Sequence, residues 1–211
     1  MDEEAPPPRR RGEGTRLAVL QAASCEFADH GLSGARVDAI AARCGANVRM
    51  IYYYFGSKAG LYAAVLEEAY VAMRQAEAEL RLDTLKPEVA IETLCGFIFD
   101  YHEAHPDYSR LVSIENIHHA ENLMASPSAK AQNRPILTTL GRILRRGVAE
   151  GAFRADVTPW EAHILMTAFP FFRVANRHTL QAIFDRNTLD SRTRRRHRKL
   201  AAEAVLRLLR R

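Results

Sequence analysis

The chain has 211 residues, of which 47% are hydrophobic and 26% are charged, and its formal net charge is +5. This composition provides enough apolar material for a buried core and excludes an intrinsically disordered chain. No run of about eighteen uninterrupted apolar residues occurs and the N-terminal segment lacks the apolar stretch of a signal peptide, so we expect a cytoplasmic protein without a membrane span.

The positive charge is concentrated at the C-terminal end. Residues 1–60 carry 8 basic and 7 acidic side chains, residues 61–191 carry 13 and 17, and residues 192–211 carry 9 and 1. Any prediction of nucleic-acid binding near the N-terminus must therefore rest on the arrangement of residues rather than on total charge. The arginine cluster at 192–198 would either bind an acidic partner or form the polar outer face of a dimer helix.

The three cysteines, Cys25, Cys44 and Cys95, are far apart in the sequence. Their number is odd and no C-x-x-C spacing occurs, so neither a disulfide framework nor a zinc site is indicated. We expect them to be small buried hydrophobic side chains.

Residues 1–14 are predicted to form a flexible basic arm. Three prolines are followed by Arg9, Arg10, Arg11 and Gly12, and proline supplies no amide donor while glycine is entropically unfavourable in a helix. The arm would either reach into a DNA minor groove or remain a solvated tail.

Apolar residues at helical spacing predict helices throughout the rest of the chain. A threonine-proline pair with a glutamate three residues after Thr158 predicts a capping box at one helix start. No run with β-strand alternation occurs, and we therefore predict an all-α fold. The predicted helices lie near residues 15–31, 37–45, 47–54, 57–80, 94–101, 108–115, 135–150, 158–176 and 192–210.

Residues 37–55 have the organisation of a helix-turn-helix. Two short helices joined by a turn at Gly45 would cross steeply, so that the second can lie in a DNA major groove while the first supports it. Ala41, Ala46 and Ile51 are expected to form the buried contact between the helices. The side chains expected to face outward are Val48, Arg49, Tyr52 and Tyr53.

At these positions the chain resembles the TetR family of transcriptional regulators. The matching residues, at the spacing of the family signature, are Ile40-Ala41, Cys44-Gly45-Ala46-Asn47, Ile51-Tyr52-Tyr53-Tyr54-Phe55, Ser57-Lys58 and Leu61. The chain departs from the usual pattern at Ala46, Asn47 and Tyr54, but none of these changes removes a helix cap or a polar contact.

The resemblance implies a set of DNA-binding residues. Val48, Arg49 and Tyr52 would read bases, because arginine can bind guanine O6 and N7 together and valine can contact a thymine methyl group. Tyr53, Tyr54 and Lys58 would bind phosphates. Asn47, at the start of the second helix, and Arg36, at the start of the first, complete the predicted interface.

The resemblance also implies a repressor that binds a palindromic operator as a homodimer and is released by a small-molecule ligand. We expect a helix-turn-helix domain at residues 15–56 and a ligand-binding and dimerisation domain at residues 57–211, with residues 57–82 as a linking helix. The dimer would form through the last two helices, near 158–176 and 192–210. The polar residues predicted to line a ligand pocket are His102, Arg110, Glu115, Asn116, His118, His119 and Asn176.

Two alternatives do not involve DNA. Glu115, His118, His119 and His102 resemble half of the ligand set of a di-iron helical bundle, but a second Glu-x-x-His is missing from the sequence. A helical adaptor that acts through protein contacts is the other alternative. We predict a protein that is not an enzyme, with no catalytic residues, no cofactor and no metal.

Overall fold

The computed structural model describes residues 8–211, except for the side chains of residues 8–12, 127–130 and 132. Within these residues the predicted all-α fold is confirmed. An isolated antiparallel β-bridge joins Phe153 and Arg210. The α-helices are α1 (Pro8–Gly34), α2 (Val37–Cys44), α3 (Val48–Phe55), α4 (Lys58–Ala78), α5 (Pro87–Ala104), α6 (Pro106–Ile117), α7 (Glu121–Met124), α8 (Pro127–Ala149), α9 (Pro159–Ala175), α10 (Arg177–Phe184) and α11 (Ser191–Leu209).

The chain divides into two compact units. The first contains residues 1–69 and 110–129, and the second contains residues 70–109 and 130–211. In this division the first half of α4 and most of α6 belong with the N-terminal helices, and the domain boundary after residue 56 stays a prediction. Both α4 and α6 therefore contribute residues to each unit.

The N-terminal helix begins earlier than predicted. Helix α1 starts at Pro8, so residues 8–14 are helical where the sequence predicted a flexible arm. Proline is tolerated there because the first amides of a helix have no intrahelical acceptor. Residues 1–7 and the side chains of Arg9, Arg10 and Arg11 lie outside the described residues.

The predicted end of the first helix at Gly31 corresponds to a kink. Gly31 has φ 65° and ψ 179°, after which the helix resumes for one turn to Gly34. An L-residue side chain is disfavoured at this φ, which explains a glycine at this point.

The core of the first unit is built from α1 to α4 with Leu111 of α6. Phe27 and Tyr62 are fully buried, and their rings meet edge to face with centroids 5.0 Å apart. Ile40 of α2 and Ile51 of α3 are also buried in this cluster. The helix-turn-helix is thus fixed to a core that α1 and α4 supply.

The core of the second unit lies between α5, α8, α9 and α11. Its fully buried side chains include Leu94 of α5, Leu140 of α8 and Leu209 of α11. The predicted capping box at Thr158 is confirmed, since Thr158 Oγ1 accepts from Glu161 N and Glu161 Oε2 accepts from Thr158 N at 2.8 Å.

Two helices of the second unit differ from the prediction. Helix α8 begins at Pro127 rather than Pro135, and Pro135 lies inside it. Helix α10 was not predicted. It follows α9 after Asn176, and its eight residues are too few to carry an apolar repeat that would indicate a helix.

The three cysteines are free thiols, and only Cys95 is buried as the sequence predicted for all three. Cys95 is buried, and desolvation raises the pKa of its thiol to about 12. Cys25 and Cys44 are half-buried, and Cys44 Sγ donates to Ile40 O at 3.1 Å. Among residues 8–211, no helix is long and apolar enough to cross a membrane.

Candidate DNA-binding interface

The turn between α2 and α3 is formed by a left-handed glycine and a capping asparagine. Gly45 has φ 65° and ψ 20° and ends α2, and Ala46 N donates to Ala41 O at 3.1 Å. Asn47 Oδ1 then accepts from Arg49 N at 2.8 Å and caps α3, as predicted from the sequence. The first residues of α3 are therefore held in place by backbone geometry and a cap.

The start of α2 is fixed by a carboxylate from α1. The buried Glu26 accepts the backbone N–H of Arg36 through Oε1 at 3.1 Å. A negative group at this position also complements the positive end of the α2 dipole. Sequence reasoning missed this contact because it joins residues ten positions apart across a helix boundary.

The buried side of the helix-turn-helix follows the prediction closely. Ala41 and Ile51 are buried, and Ala46 is half-buried against the same cluster. Val48 differs, because it is half-buried and packs against this core rather than facing outward. As the first residue of α3 it lies next to the turn, where the two helices are closest.

The outer side of α3 carries an arginine and two tyrosines. Arg49 is exposed, and Tyr52 and Tyr53 are 44% and 79% exposed. Tyr54 is half-buried between Tyr53 and Phe55, with ring centroids 5.5 Å and 6.2 Å away. The tyrosine run thus divides between an exposed face and a packed edge.

The exposed cations of this surface are Arg36, Arg43 and Arg49. None of them has an ion pair or a side-chain hydrogen bond among the residues described, so their guanidinium groups are available to an anionic partner. Met50, which is 39% exposed, lies between Arg49 and the tyrosines and was not predicted to be part of the surface.

Lys58 in the first turn of α4 contacts the end of α1. Its Nζ donates to Ser33 O at 3.1 Å and to Ala35 O at 3.0 Å. These bonds satisfy carbonyls at the C-terminal end of α1, where a cation is favourable. Two of the three ammonium donors are therefore used within the first unit, and one remains for a phosphate.

Two family models match the chain over most of its length. Residues 19–65 match the family described as bacterial regulatory proteins, tetR family, and residues 87–205 match the tetracyclin repressor-like C-terminal domain. The chain belongs to the TetR family. It is accordingly a DNA-binding transcriptional regulator, and α2 and α3 are the helix-turn-helix of that family.

Relatives of this TetR-family chain include characterised repressors and solved structures. It is 35% identical over 202 residues to the HTH-type transcriptional repressor NicS of Pseudomonas putida, covering 96% of this chain and 95% of NicS. The SCO4942 protein of Streptomyces coelicolor is 26% identical, with a TM-score of 0.68 over 92% of this chain and 98% of that one. The regulator FadR of Bacillus subtilis, solved with stearoyl-CoA, shares the fold with a TM-score of 0.69 at 15% identity, covering 92% of this chain and 98% of that one.

The second unit of this TetR-family protein carries an apolar groove between α9 and α11. The groove has a volume of about 550 Å³. Leu165 is 45% exposed and Leu200 is 48% exposed on its walls, although both are large apolar side chains. The lining residues are Leu165, Ala168, Phe169, Leu200, Ala201, Ala204, Val205 and Leu208.

The predicted ligand-pocket residues are divided between the two units, and their role stays a prediction. Arg110, Glu115, Asn116, His118 and His119 belong to the first unit, whereas His102 and Asn176 belong to the second.

Several of these side chains already have partners. Arg110 pairs with Asp29, Asn116 donates to Val112 O, and Asn176 donates to Phe172 O. His118 and His119 are exposed.

The Glu-x-x-His segment has no metal-binding geometry in the described residues. The Glu115 carboxylate accepts from Tyr62 Oη, Asn122 Nδ2 and Leu123 N, which occupies it with neutral donors. In the part of the chain that the structure describes, no group of three His, Cys, Asp or Glu side chains could hold a metal ion.

The arginine cluster of α11 is partly neutralised by α5. Arg194 pairs with Asp100 and Glu103, and Arg198 pairs with Asp100 at 2.8 Å. Asp190 caps α11 by accepting from the amides of residues 192 and 193, which offsets the cations at this helix start. Arg192, Arg195 and Arg196 remain exposed.

Proposed function

We propose that this TetR-family protein is a homodimeric repressor that binds a palindromic operator through α3 and is released by a small-molecule effector. The observation that carries the proposal is the outer face of α3. Arg49, Tyr52 and Tyr53 are exposed there without ion pairs among the described residues, on a helix held by a buried core and a capped turn. An arginine that is free to form two parallel hydrogen bonds can recognise guanine in the major groove. Such a repressor would act in the cytoplasm.

We assign to each predicted DNA-binding residue a role that suits its position. Arg49 and Tyr52 read bases, and Val48, which is half-buried, contributes an apolar edge beside the turn. Tyr53 binds phosphate with its exposed hydroxyl, and Tyr54 supports it from the packed edge. Asn47 holds the start of α3 through its cap.

The basic residues around α3 complete the proposed contact with DNA. Arg36 is exposed at the start of α2, where it can bind a phosphate of the same groove. Lys58 is held on the end of α1 by two carbonyls, so that its remaining donor can bind a phosphate without first losing side-chain freedom. The small number of cations means that affinity depends on the positions of these groups rather than on a broad basic surface.

Dimerisation is proposed to occur through the groove between α9 and α11. A single recognition helix contacts too few base pairs to specify a site. Two copies of the helix-turn-helix in successive major grooves match the two half-sites of a palindrome. The exposed leucines of this groove form a continuous apolar surface on two helices, and burial against a second copy of the same surface would give an isologous interface. Helix α10 lies between these helices in sequence and was not part of the predicted dimer segments.

DNase I footprinting of the DNA directly upstream of the coding region tests the proposal. A repressor of this kind is expected to protect a palindromic site whose half-sites are about one helical turn apart. An Arg49→Ala protein prepared in parallel should lose the footprint at the same concentration. Protection that has no twofold symmetry, or that survives the Arg49→Ala change, would contradict the proposal.

A further inference from the structure

Six buried side-chain polar atoms of the second unit have no hydrogen-bond partner among the described residues, and four of them lie on α4, α5 and α9. These four are Arg74 Nε in α4, His102 Nε2 in α5, and His163 Nδ1 and Thr167 Oγ1 in α9. A buried donor or acceptor without a partner is unfavourable, so folded proteins seldom contain several in one place. These four atoms are therefore available to form hydrogen bonds with another molecule.

These atoms belong to one neighbourhood. His163, Thr167 and Phe171 are spaced by four residues and share a face of α9. The rings of His102 and Phe171 have centroids 5.9 Å apart, which joins this face to α5. The polar atoms therefore lie beside aromatic side chains.

Two tyrosines extend this aromatic neighbourhood. The ring of Tyr108 lies 5.6 Å from the ring of His102 and 5.5 Å from the ring of Tyr70, measured between centroids. Tyr70 precedes Arg74 by one helical turn of α4. Every residue of this group belongs to the second unit.

The electrostatic potential of this cluster is set by Arg74. Its Nη1 pairs with Glu77 at 2.6 Å, whereas its Nε remains free. Burial, and next the charge of Arg74, lower the pKa of His102 to about 4, and the same two causes lower the pKa of His163. Both imidazoles are therefore neutral near pH 7, and Arg74, whose charge Glu77 partly offsets, keeps its Nε–H as a charged donor for an anionic oxygen.

The hydrogen-bonding capacity of the cluster also suits an oxygen acceptor. His102 Nδ1 lies 2.9 Å from Ser109 Oγ. When Ser109 donates this bond, the neutral ring carries its proton on Nε2 and presents a donor. Arg74 Nε–H and the Thr167 hydroxyl supply two further donors.

We propose that Arg74, His102, His163 and Thr167 bind the effector, and that the effector is a small aromatic carboxylate. The carboxylate accepts hydrogen bonds from the guanidinium, imidazole and hydroxyl groups, and the ring packs against Tyr108 and Phe171. This site rests on the proposed function in that its occupant is the ligand that controls DNA binding. Of the pocket residues predicted from the sequence it contains His102 alone, because Arg74, His163 and Thr167 are separated from it in sequence.

Calorimetric titration of the full-length protein with benzoate and the three monohydroxybenzoates tests the site directly. At least one of these carboxylates is expected to bind, and benzamide, which has the same ring without the charge, is expected to bind at least about tenfold more weakly because it loses a charge-assisted hydrogen bond. If none of the four carboxylates binds, or if benzamide binds equally well, the proposal is overturned.

Thr167→Val separates a binding role from a structural one. Valine keeps the shape of threonine and removes a buried hydroxyl that lacks a partner in the free protein, so the melting temperature without ligand should not fall, while carboxylate affinity should drop about tenfold. Thr188 provides a matched control, since its hydroxyl is also buried without a partner but has no place in the cluster. Thr188→Val should leave carboxylate affinity unchanged.

The same proteins distinguish this proposal from the proposed repressor function. Carboxylate binding that needs Thr167, in a protein that fails to bind operator DNA, would support the site and reject the proposed function. Operator binding together with unchanged carboxylate affinity in Thr167→Val would reject the site and retain the proposed function.

Discussion

Tyr62 of α4 donates a hydrogen bond from its hydroxyl to Glu115 Oε1 of α6, and the two atoms are 2.9 Å apart. Tyr62 is fully buried, Glu115 is 1% exposed, and the carboxylate is also held by Asn122 Nδ2 and Leu123 N. Three donors satisfy a carboxylate that is almost fully buried. The pair thus joins α4 to α6 within the first unit.

Tyr62→Phe is expected to destabilise the protein by about 1.5–3 kcal/mol, the usual cost of losing a hydrogen bond to a buried charged group. The ring and its contact with Phe27 remain, so the effect isolates the hydroxyl. Urea unfolding followed by circular dichroism measures the free energy. Tyr53→Phe, at a site that is 79% exposed, is the matched control and should change stability by less than about 0.5 kcal/mol. Equal effects of both changes would show that the Tyr62–Glu115 bond contributes little.

Leu165→Glu should convert the proposed dimer into monomers. The substitution places a carboxylate on the wall of the apolar groove between α9 and α11, where burial of an unpaired charge against a second copy is costly. Sedimentation velocity measures the assembly state.

Val89→Glu is the control for this change, because Val89 is 47% exposed, close to the 45% of Leu165, but lies outside the groove. It should remain dimeric. A Leu165→Glu protein that sediments as a dimer would place the interface elsewhere.

The stability of the chain should fall as the pH is lowered from 6.5 to 4. Burial and the charge of Arg74 lower the pKa of His102 from 6.5 to about 4. In this interval His102 takes up a proton in the unfolded chain but not in the folded chain. The contribution of His102 to the free energy of unfolding is therefore complete above pH 6.5 and is lower by about 3 kcal/mol at pH 4. The lowered pKa values of His163 and His197 act in the same direction.

Chemical unfolding at pH 7 and pH 4.5 measures this dependence. His102→Gln should have a smaller difference in unfolding free energy between the two pH values than the wild type. His118→Gln, at an exposed histidine, should keep the wild-type difference. If His102→Gln also keeps the wild-type difference, another group is responsible.

The local features of the fold were predictable from the sequence because their signals lie within a few residues. The glycine turn at Gly45, the cap at Asn47 and the capping box at Thr158 each depend on residues two to five positions apart. The predicted starts of α1 and α8 were wrong, and both contain a proline, Pro8 and Pro135. The effect of a proline depends on its place in the helix and on the packing around it.

The parts of the site that depend on tertiary contacts were not predictable. Glu26 caps α2 from α1, and Lys58 binds carbonyls more than twenty positions earlier in the sequence. The buried cluster around Arg74 is formed by residues on α4, α5 and α9. In the sequence of any one of these helices they are ordinary polar residues of an amphipathic helix, and nothing there indicates a cluster. Periodicity indicates which face of a helix is buried but not which buried polar atoms meet.

We propose that Arg49 reads the operator sequence and that Lys58 binds the DNA backbone. Fluorescence anisotropy on the footprinted operator and on a scrambled duplex, at several salt concentrations, tests both roles in one series. Arg49→Ala should lower operator affinity by about 1–3 kcal/mol and leave binding to the scrambled duplex nearly unchanged. Lys58→Met should weaken both duplexes alike and reduce the salt slope by about one unit. Equal losses on both duplexes for Arg49→Ala would contradict the account.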